Sequence, residues 1–436
     1  MRKSLYLLAL PLLLADAGWP ADQATFRVIA YMDRYDQPIG IIEGSPGVFY
    51  SESGNAVLSV TTQGSKTILA NFPNNAVLLS LAVAGSDGLF YSTIWTEKAT
   101  TAEVFSVPSM PAGLKLYSPQ TIAPFLMQNL PDSKFLGLAG GVSSHLYSLV
   151  TTDLHGNVTP IYQFTSADQP ETALYASDGN YYGVVQGATA STGYVFRITP
   201  SGSFTKLFTF PTNTFIGAYY QPLIEASDGN LYGATATGGA NGTGTIYKLT
   251  LGGQYTLLYT FPKGNSYNPS ALIEGSDGNL YGATIGSLAN AGFSELFKLT
   301  KSGQFTLLYA MANVGADGAC NCKLVQGSDG MIYGSAQVGG ITGAGAYFSL
   351  DAGLPKPRPH AQHFSPKSGA VGTQVLIWGF NLLSASVNFN GVPATTVSSS
   401  GPNYVWATVP AGATTGPITI TTPGGSFTTT NSFTVQ

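Results

Sequence analysis

Charge is scarce in this chain. Asp, Glu, Lys and Arg together make up 9% of its 436 residues, against roughly 25% in an ordinary soluble domain. The formal net charge is −4 and no basic run occurs, so the electrostatic footprint of a nucleic-acid partner is missing. Cysteine is scarcer still, with only Cys320 and Cys322. Two thiolates are too few for a structural zinc site. One residue between them sets them on opposite faces of a strand, which disfavours a mutual disulfide, so buried or inert thiols are expected. Of the four histidines, His145 and His155 are ten residues apart and His360 and His363 fall in an expected linker without acidic neighbours. No metal site follows. Walker loops, zinc motifs and the Gly-x-Ser-x-Gly elbow are absent, and Gly-rich Gly238–Gly244 opens no helix that would cradle phosphate. No cofactor and no catalytic set is expected. Long apolar runs are missing too. The run Leu5–Leu14 is shorter than the roughly 20 residues a membrane helix needs. Arg2 and Lys3 precede it and Ala15-Asp16-Ala17 follows it, which reads as a secretory signal over residues 1–17. An extracellular or cell-surface protein without a transmembrane segment is expected.

Glycine (53 residues), tyrosine and phenylalanine are plentiful instead, the composition of short strands and tight turns. Leu223-Ile-Glu-Ala-Ser-Asp-Gly-Asn-Leu-Tyr-Gly233 recurs almost unchanged as Leu272-Ile-Glu-Gly-Ser-Asp-Gly-Asn-Leu-Tyr-Gly282. Variants occupy Ala173–Gly183 and Leu324–Gly334, with weaker copies at Gly44–Tyr50, Gly85–Tyr91 and Asp132–Gly137. Anchored on the turn position, the copies fall at Pro46, Asp87, Asp132, Asp178, Asp228, Asp277 and Asp329, spaced by 41, 45, 46, 50, 49 and 52 residues. Each unit resolves into four strands. In the sixth these are 271–274, 279–284, 294–300 and 305–311, with Asp-Gly expected as a type I′ hairpin between the first two. Four-strand units of about 40–50 residues are propeller blades, so a seven-bladed β-propeller is expected over residues 24–351. The seventh unit lacks a fourth strand. Phe26-Arg-Val-Ile-Ala-Tyr-Met32 matches Phe305-Thr-Leu-Leu-Tyr-Ala-Met311 in pattern, so the N-terminal strand is expected to complete that blade and close the ring.

The Leu-Ile-Glu-Gly-Ser-Asp-Gly-Asn-Leu-Tyr-Gly run, with Ile246-Tyr-Lys-Leu-Thr250 and Leu257-Leu-Tyr-Thr-Phe261, resembles the GloVer (Gloeobacter/Verrucomicrobia-type) repeat of secreted bacterial proteins. That resemblance implies a fold and a compartment rather than an activity. After the Pro-rich linker 352–359, residues 360–436 carry short strands separated by Gly, Pro and Asn turns, the spacing of a sandwich. Phe364-Ser-Pro-Lys-Ser-Gly-Ala-Val-Gly-Thr373, Gly379-Phe-Asn381, Val387-Asn-Phe-Asn-Gly-Val392 and Ala407-Thr-Val-Pro-Ala-Gly412 resemble the IPT/TIG immunoglobulin-like domain, which implies a spacer or adhesive accessory role. The fold class expected is therefore all-β, a propeller followed by an Ig-like β-sandwich.

Two sets of residues are candidates for function. The second-to-third and blade-to-blade loops are long and variable, and carry Trp95, Phe215, Tyr219, Tyr220 and Tyr267. Exposed aromatics beside neutral polar residues suit stacking on sugars or peptide side chains; the alternative is that they fill gaps between blades. The second set lies three residues before the turn: Glu43, Glu225 and Glu274, with Gln326 in the seventh unit. On channel-lining strands these carboxylates either gather around a cation or cationic ligand, or accept backbone N–H groups of the adjacent blade. The reading is a monomeric, non-enzymatic binding protein for a glycan or extracellular protein. A propeller-type carbohydrate-active or lyase enzyme using Glu225 and Glu274, and a structural envelope component, are the rivals. Deleting residues 24–32 is expected to abolish folding. A truncated protein that stays soluble and melts cooperatively would count strongly against ring closure.

Overall fold

The structure is a computed structural model. It describes residues 24–32, 38, 40–54, 56–72, 76–78, 83–96, 102–107, 114–117, 122–141, 146–186, 193–211, 214, 223–263, 269–285, 294–311, 323–337, 339–399 and 401–436. Every regular element among them is a strand or a bridge. Seven antiparallel sheets follow one another, numbered here one to seven: residues 42–71, 76–116, 122–163, 170–209, 223–260, 269–311 and 324–351. Six have four strands and sheet two has five. The fourth strand of sheet seven is Thr25–Tyr31, which pairs with Ala346–Asp351 in a register that sets Phe26 opposite Leu350.

The core is divided as the sheets are. One apolar cluster joins each sheet to the next, and Met32, Tyr333 and Tyr347 of sheet seven pack on Phe49 and Leu58 of sheet one. Seven clusters thus make a closed cycle, which no linear array of sheets would do.

The outer strands hold the cycle by a shared irregularity. In six sheets the fourth strand carries a β-bulge at the matching residue: Ile29, Leu69, Ile161, Leu207, Leu258 and Leu308. Residues four apart on a regular strand share a face, and one inserted residue moves the second to the other face. Phe204 accordingly stacks backward on Tyr162 of sheet three while Phe208 stacks forward on Tyr255 of sheet five, with ring centroids 5.0 and 4.2 Å apart. Tyr259 with Phe305 (4.5 Å) and Tyr309 with Phe26 (4.1 Å, 4° between planes) continue the series. The bulge also pushes a carbonyl toward the next sheet. A Cβ on Gly303 would sit 2.6 Å from the Leu258 oxygen, and one on Gly64 2.5 Å from the Ile29 oxygen. Both glycines have positive φ, so these turn positions need glycine twice over.

The hairpin turns differ from the expected type I′. Positive φ occurs at the glycine alone, as at Gly179, Gly229 and Gly278, and not at the preceding aspartate. The Gly179 N–H donates to the Ala176 carbonyl and the Ala176 N–H to that of Asn180. This is a type I turn followed by a left-handed residue. The aspartate explains it: the Asp178 carboxylate accepts the Asn180 N–H at 3.0 Å, an Asx arrangement that favours right-handed backbone at Asp. Its second oxygen accepts the Tyr182 hydroxyl at 2.7 Å, and the same pair recurs at Asp228–Tyr232, Asp277–Tyr281 and Asp329–Tyr333.

Residues 360–436 form two further sheets. One orders His360–Ser365, Gln374–Phe380, Tyr404–Thr408 and Val397–Ser399; the other is built on Gly425–Val435, Gly416–Thr422 and Ser386–Phe389. Val375, Ile377 and Val405 of the first meet Val387, Ile418, Ile420 and Phe433 of the second in one core. His360 and His363, expected in a linker, stand on the first strand, and His360 packs edge-on against Phe427 at 4.6 Å.

Phe26→Ala removes the ring that stacks on Tyr309 and is expected to lower stability by roughly 2 kcal/mol, less than a fully buried Phe because the ring is half-buried. Denaturant unfolding at equilibrium measures this. A loss below about 0.5 kcal/mol, the range of ordinary surface changes, would show that ring closure does not depend on the stack.

Candidate functional site

Glu43, Glu225 and Glu274 each face a serine of the preceding sheet. Glu225 accepts the Ser177 N–H at 2.8 Å and its hydroxyl at 2.5 Å. Glu274 holds Ser227 in the same way at 2.7 and 2.6 Å, and Glu43 holds Ser328 at 2.7 and 2.8 Å. Gln326 repeats the contact with its amide, accepting the Ser276 N–H and donating to its hydroxyl, both at 2.9 Å. Four junctions, from sheets four–five round to seven–one, are thus bracketed by charge-assisted or amide pairs. At two of the remaining three junctions the bracket changes form. Asn129 donates to the Ala84 carbonyl between sheets two and three, and Gln128 accepts the Tyr175 N–H at 2.6 Å between three and four. The adjacent-blade alternative describes these contacts, and the carboxylates have serines, not each other, as partners.

Lysines neutralise the acids around the turns of sheets five and six. Lys301 Nζ lies 2.5 Å from Glu274, Lys248 3.2 Å from Asp228 and Lys298 2.8 Å from Asp277. Burial alone would raise the carboxyl pKa of both aspartates. The donors outweigh it, Tyr232, Asn230 and Lys248 at Asp228 and Lys298, Asn279 and Tyr281 at Asp277, and hold each at about 2. Glu43 moves the other way, because its burial exceeds the effect of its Gly47 and Ser328 donors.

This turn face is covered. The linker runs back across it, where Pro355 accepts hydrogen bonds from the Ser276 hydroxyl (2.5 Å) and the Gln326 amide (3.1 Å). Tyr404 donates to the Leu130 carbonyl of sheet three at 2.8 Å and Trp406 Nε1 to the Ser86 carbonyl of sheet two at 2.9 Å. Trp378 meets Tyr175 of sheet four edge-on at 6.2 Å. Burial lowers the His360 pKa, and the Glu225 charge of sheet five pulls it part of the way back. A cavity of about 70 Å³ remains against sheets seven and one, lined by Glu43, Gln326, Pro357 and Leu383. That is far below the roughly 300 Å³ of a small-ligand pocket. An open groove of about 450 Å³ runs beside sheets five and six, but its Lys248 and Lys301 are held by Asp228 and Glu274.

The opposite face carries the long connections. Trp95 lies on Phe90–Thr96 of sheet two, paired with Val77. Phe215, Tyr219, Tyr220 and Tyr267 lie outside the described residues, as do Cys320, Cys322, His145 and residues 1–23. Two charges on this side were missed from sequence, Glu52 at the end of Val48–Glu52 and Lys323 just before Leu324–Gln326. The signal was available, since both break the residue pattern of the repeat. Among the described residues no group of three or more His, Cys, Asp or Glu is placed to hold a metal, and no helix is long and apolar enough to cross a membrane.

A family model described as the Gloeobacter/Verrucomicrobia repeat matches residues 169–380. Sheets four to six and the first three strands of sheet seven lie within this stretch. No curated protein matches the chain. Among solved structures, a fungal alcohol oxidase of the AA5 family in complex with copper is similar at a TM-score of 0.51 and 12% identity, covering 94% of this chain and 98% of that one. The extracellular domain of a putative one-component system from B. thetaiotaomicron is similar at 0.50 and 13% identity. That match covers 92% of this chain but 52% of the other, so this chain spans about half its length. At such identities the likeness concerns the fold alone.

The depressed aspartates set a pH dependence. Asp228 and Asp277 fall from an ordinary 3.8 to about 2 on folding, so the unfolded chain binds protons first. The stability they contribute is complete above the unfolded value and is lost as pH falls toward 2; the raised Glu43 opposes this. Urea unfolding at pH 6 and pH 3 should show a smaller acid loss in Asp277→Asn than in the wild type. Equal losses would contradict the assignment.

Proposed function

We propose that the chain is an extracellular, non-enzymatic binding protein: a seven-bladed β-propeller, the seven sheets being its blades, capped on one face by an Ig-like sandwich and engaging a glycan or protein ligand on the other. The cap is the observation that carries this reading. Linker and sandwich contact the turns of nearly every sheet, which leaves the long-connection face as the side from which a ligand approaches. The secretory signal read at residues 1–17 and the likeness to an extracellular domain support the compartment.

Lyase or hydrolase chemistry through Glu225 and Glu274 has less support. Each carboxylate is engaged by a serine at hydrogen-bond distance, and Glu274 by Lys301 as well. A free acid–base pair would need a proton path to substrate that the brackets occupy. A glycan array probed with wild type and with Trp95→Ala, Tyr219→Ala and Tyr220→Ala separates binding from a purely structural envelope role. Binding by the wild type that weakens in these variants is expected. If every variant bound like wild type, the aromatic face would not be the ligand surface.

A further inference from the structure

The bracketed junctions repeat one polar pattern, so their charges can be compared directly. Between sheets five and six, Glu274 and Asp228 face Lys301 and Lys248. Between six and seven the bracket is the neutral Gln326, and Lys298 pairs with Asp277. Between four and five, Arg197 offsets Asp178 beside Glu225. Between seven and one the bracket holds Glu43 beside Asp329, and both lysine positions are lost. Ser349 stands opposite Tyr333 as Lys298 stands opposite Tyr281, and Thr62 takes the place of Lys301 in the matching turn. Arg27 lies opposite Ser349 in the ladder but is exposed. Among the described residues no basic side chain forms an ion pair with Glu43 or Asp329. This junction keeps two negative charges, where the other three keep none or one.

The cavity of about 70 Å³ lies beside this pair. Its polar lining offers oxygen and neither thiol nor imidazole: Glu43 and Ser328 come from the ring, Asn381 and Thr422 from the sandwich. Glu43 is 4% exposed. The Gly47 N–H (3.0 Å) and the Ser328 hydroxyl (2.8 Å) donate to Oε1, and the Ser328 N–H (2.7 Å) to Oε2. One of the four lone-pair sites of the carboxylate therefore stays open. The Asn381 amide nitrogen is committed to the Arg358 carbonyl at 3.0 Å, which leaves its oxygen for a ligand. Burial pushes the Glu43 carboxyl above its ordinary value; its donors pull it back, and the Asp329 charge pushes it further. A buried charge of this kind is costly without a counter-charge.

We propose that this cavity binds a calcium ion, with Glu43 as its carboxylate ligand and Ser328, Asn381 and Thr422 as neutral oxygen ligands that tie the sandwich to the ring. The deficit of two charges calls for a divalent cation. Zinc favours nitrogen and sulfur, which the lining lacks. Magnesium demands a tight octahedron and gives up its water reluctantly, whereas calcium accepts an irregular set of oxygens with waters among them. The volume admits the ion and a few waters, each of which needs roughly 10–15 Å³. A single carboxylate sets the dissociation constant at about 10⁻⁴–10⁻³ M, the range of extracellular calcium modules. The site is independent of any ligand on the opposite face.

The test uses the full chain freed of metal by a chelator, with calcium chloride as the probe and melting temperature and calorimetric titration as readouts. Calcium at about 10 mM should raise the melting temperature by roughly 2–3 °C and give saturable binding heat. Magnesium at the same concentration should do markedly less. Glu43→Gln should abolish both calcium responses and still fold, because Gln326 makes the same bracket to Ser276. Thr62→Lys restores the lysine of sheet six; it should raise melting without calcium and diminish the calcium shift. A wild type that neither binds calcium nor is stabilised by it overturns the inference. So does a Glu43→Gln variant that responds like wild type, or an equal response to magnesium, which would reduce the effect to charge screening. Should Glu43→Gln fail to fold, an undiminished calcium shift in Thr62→Lys overturns it instead.

Discussion

The bulge in the outer strand is the constraint on which the ring depends. A four-stranded sheet has two faces, and each must bury against a different neighbour. The inner strands achieve this with alternating residues, but the outer strand is short, half-exposed and has little apolar area to offer either side. Inserting Leu207 lets Phe204 and Phe208, four residues apart, point to opposite neighbours. The same insertion tilts a carbonyl against the next sheet's turn, which accounts for glycine at 64, 202, 253 and 303. Remove the bulge and both rings fall on one face, so one junction loses its stack and the other is overfilled. At sheet seven this device is assembled from the two ends of the chain, with Phe26 supplying the ring and Ile29 the bulge.

The turn face is organised by a second, polar repetition. Asp–Tyr pairs fix the turns of sheets two and four to seven, and Glu–Ser brackets tie the turns at three junctions. A carboxylate that accepts an N–H and an O–H from one serine has its charge well compensated, so the ring tolerates it half-buried. The linker and the sandwich rest on this end of the ring. The two-sheet module of residues 360–436 is thereby fixed in place through Tyr404, Trp406 and Trp378.

Much of this was legible in the sequence. The anchor spacing, the Tyr at the fourth position after five of the six Asp anchors and the matching of Phe26–Met32 with Phe305–Met311 all carry through to the sheets. The bulge was not, because Phe-Thr-Lys-Leu-Phe-Thr reads equally as a regular strand; only its partner's register reveals the extra residue. The brackets were half legible. Glu225 stands out as a repeated acid, but its serine lies 48 positions earlier, in a different repeat whose neighbour relation only the closed ring defines. The turn type was misread because Asp-Gly is compatible with two hairpins, and the side-chain hydrogen bond of Asp decides between them. The cap was illegible, since Tyr404 and Trp406 alternate on a strand as any sandwich residues do. For the loop aromatics the order is reversed: composition marks them, and apart from Trp95 they lie outside the described residues.

Regularity and function pull in different directions in such a ring. A residue present in every sheet is explained by what every sheet must do, and the Asp, Ser and Glu of the turn are all explained in this way. Departures from the pattern carry more information, provided they are buried, because exposed positions drift freely while buried ones are held to the repeat by packing. Sheets one and two depart most, with Ser51 and Ser92 where sheets three to seven have glycine, and Glu52 and Thr93 beside them. Aromatic pairs join these sheets through their inner strands instead, Tyr50 with Phe90 at 4.3 Å and Tyr91 with Phe135 at 4.8 Å. The Lys66 ammonium bonds to the Tyr31 carbonyl at 2.7 Å where a ring would otherwise stack. The buried polar residues of this arc therefore stand beside apolar clusters as complete as those of the other junctions.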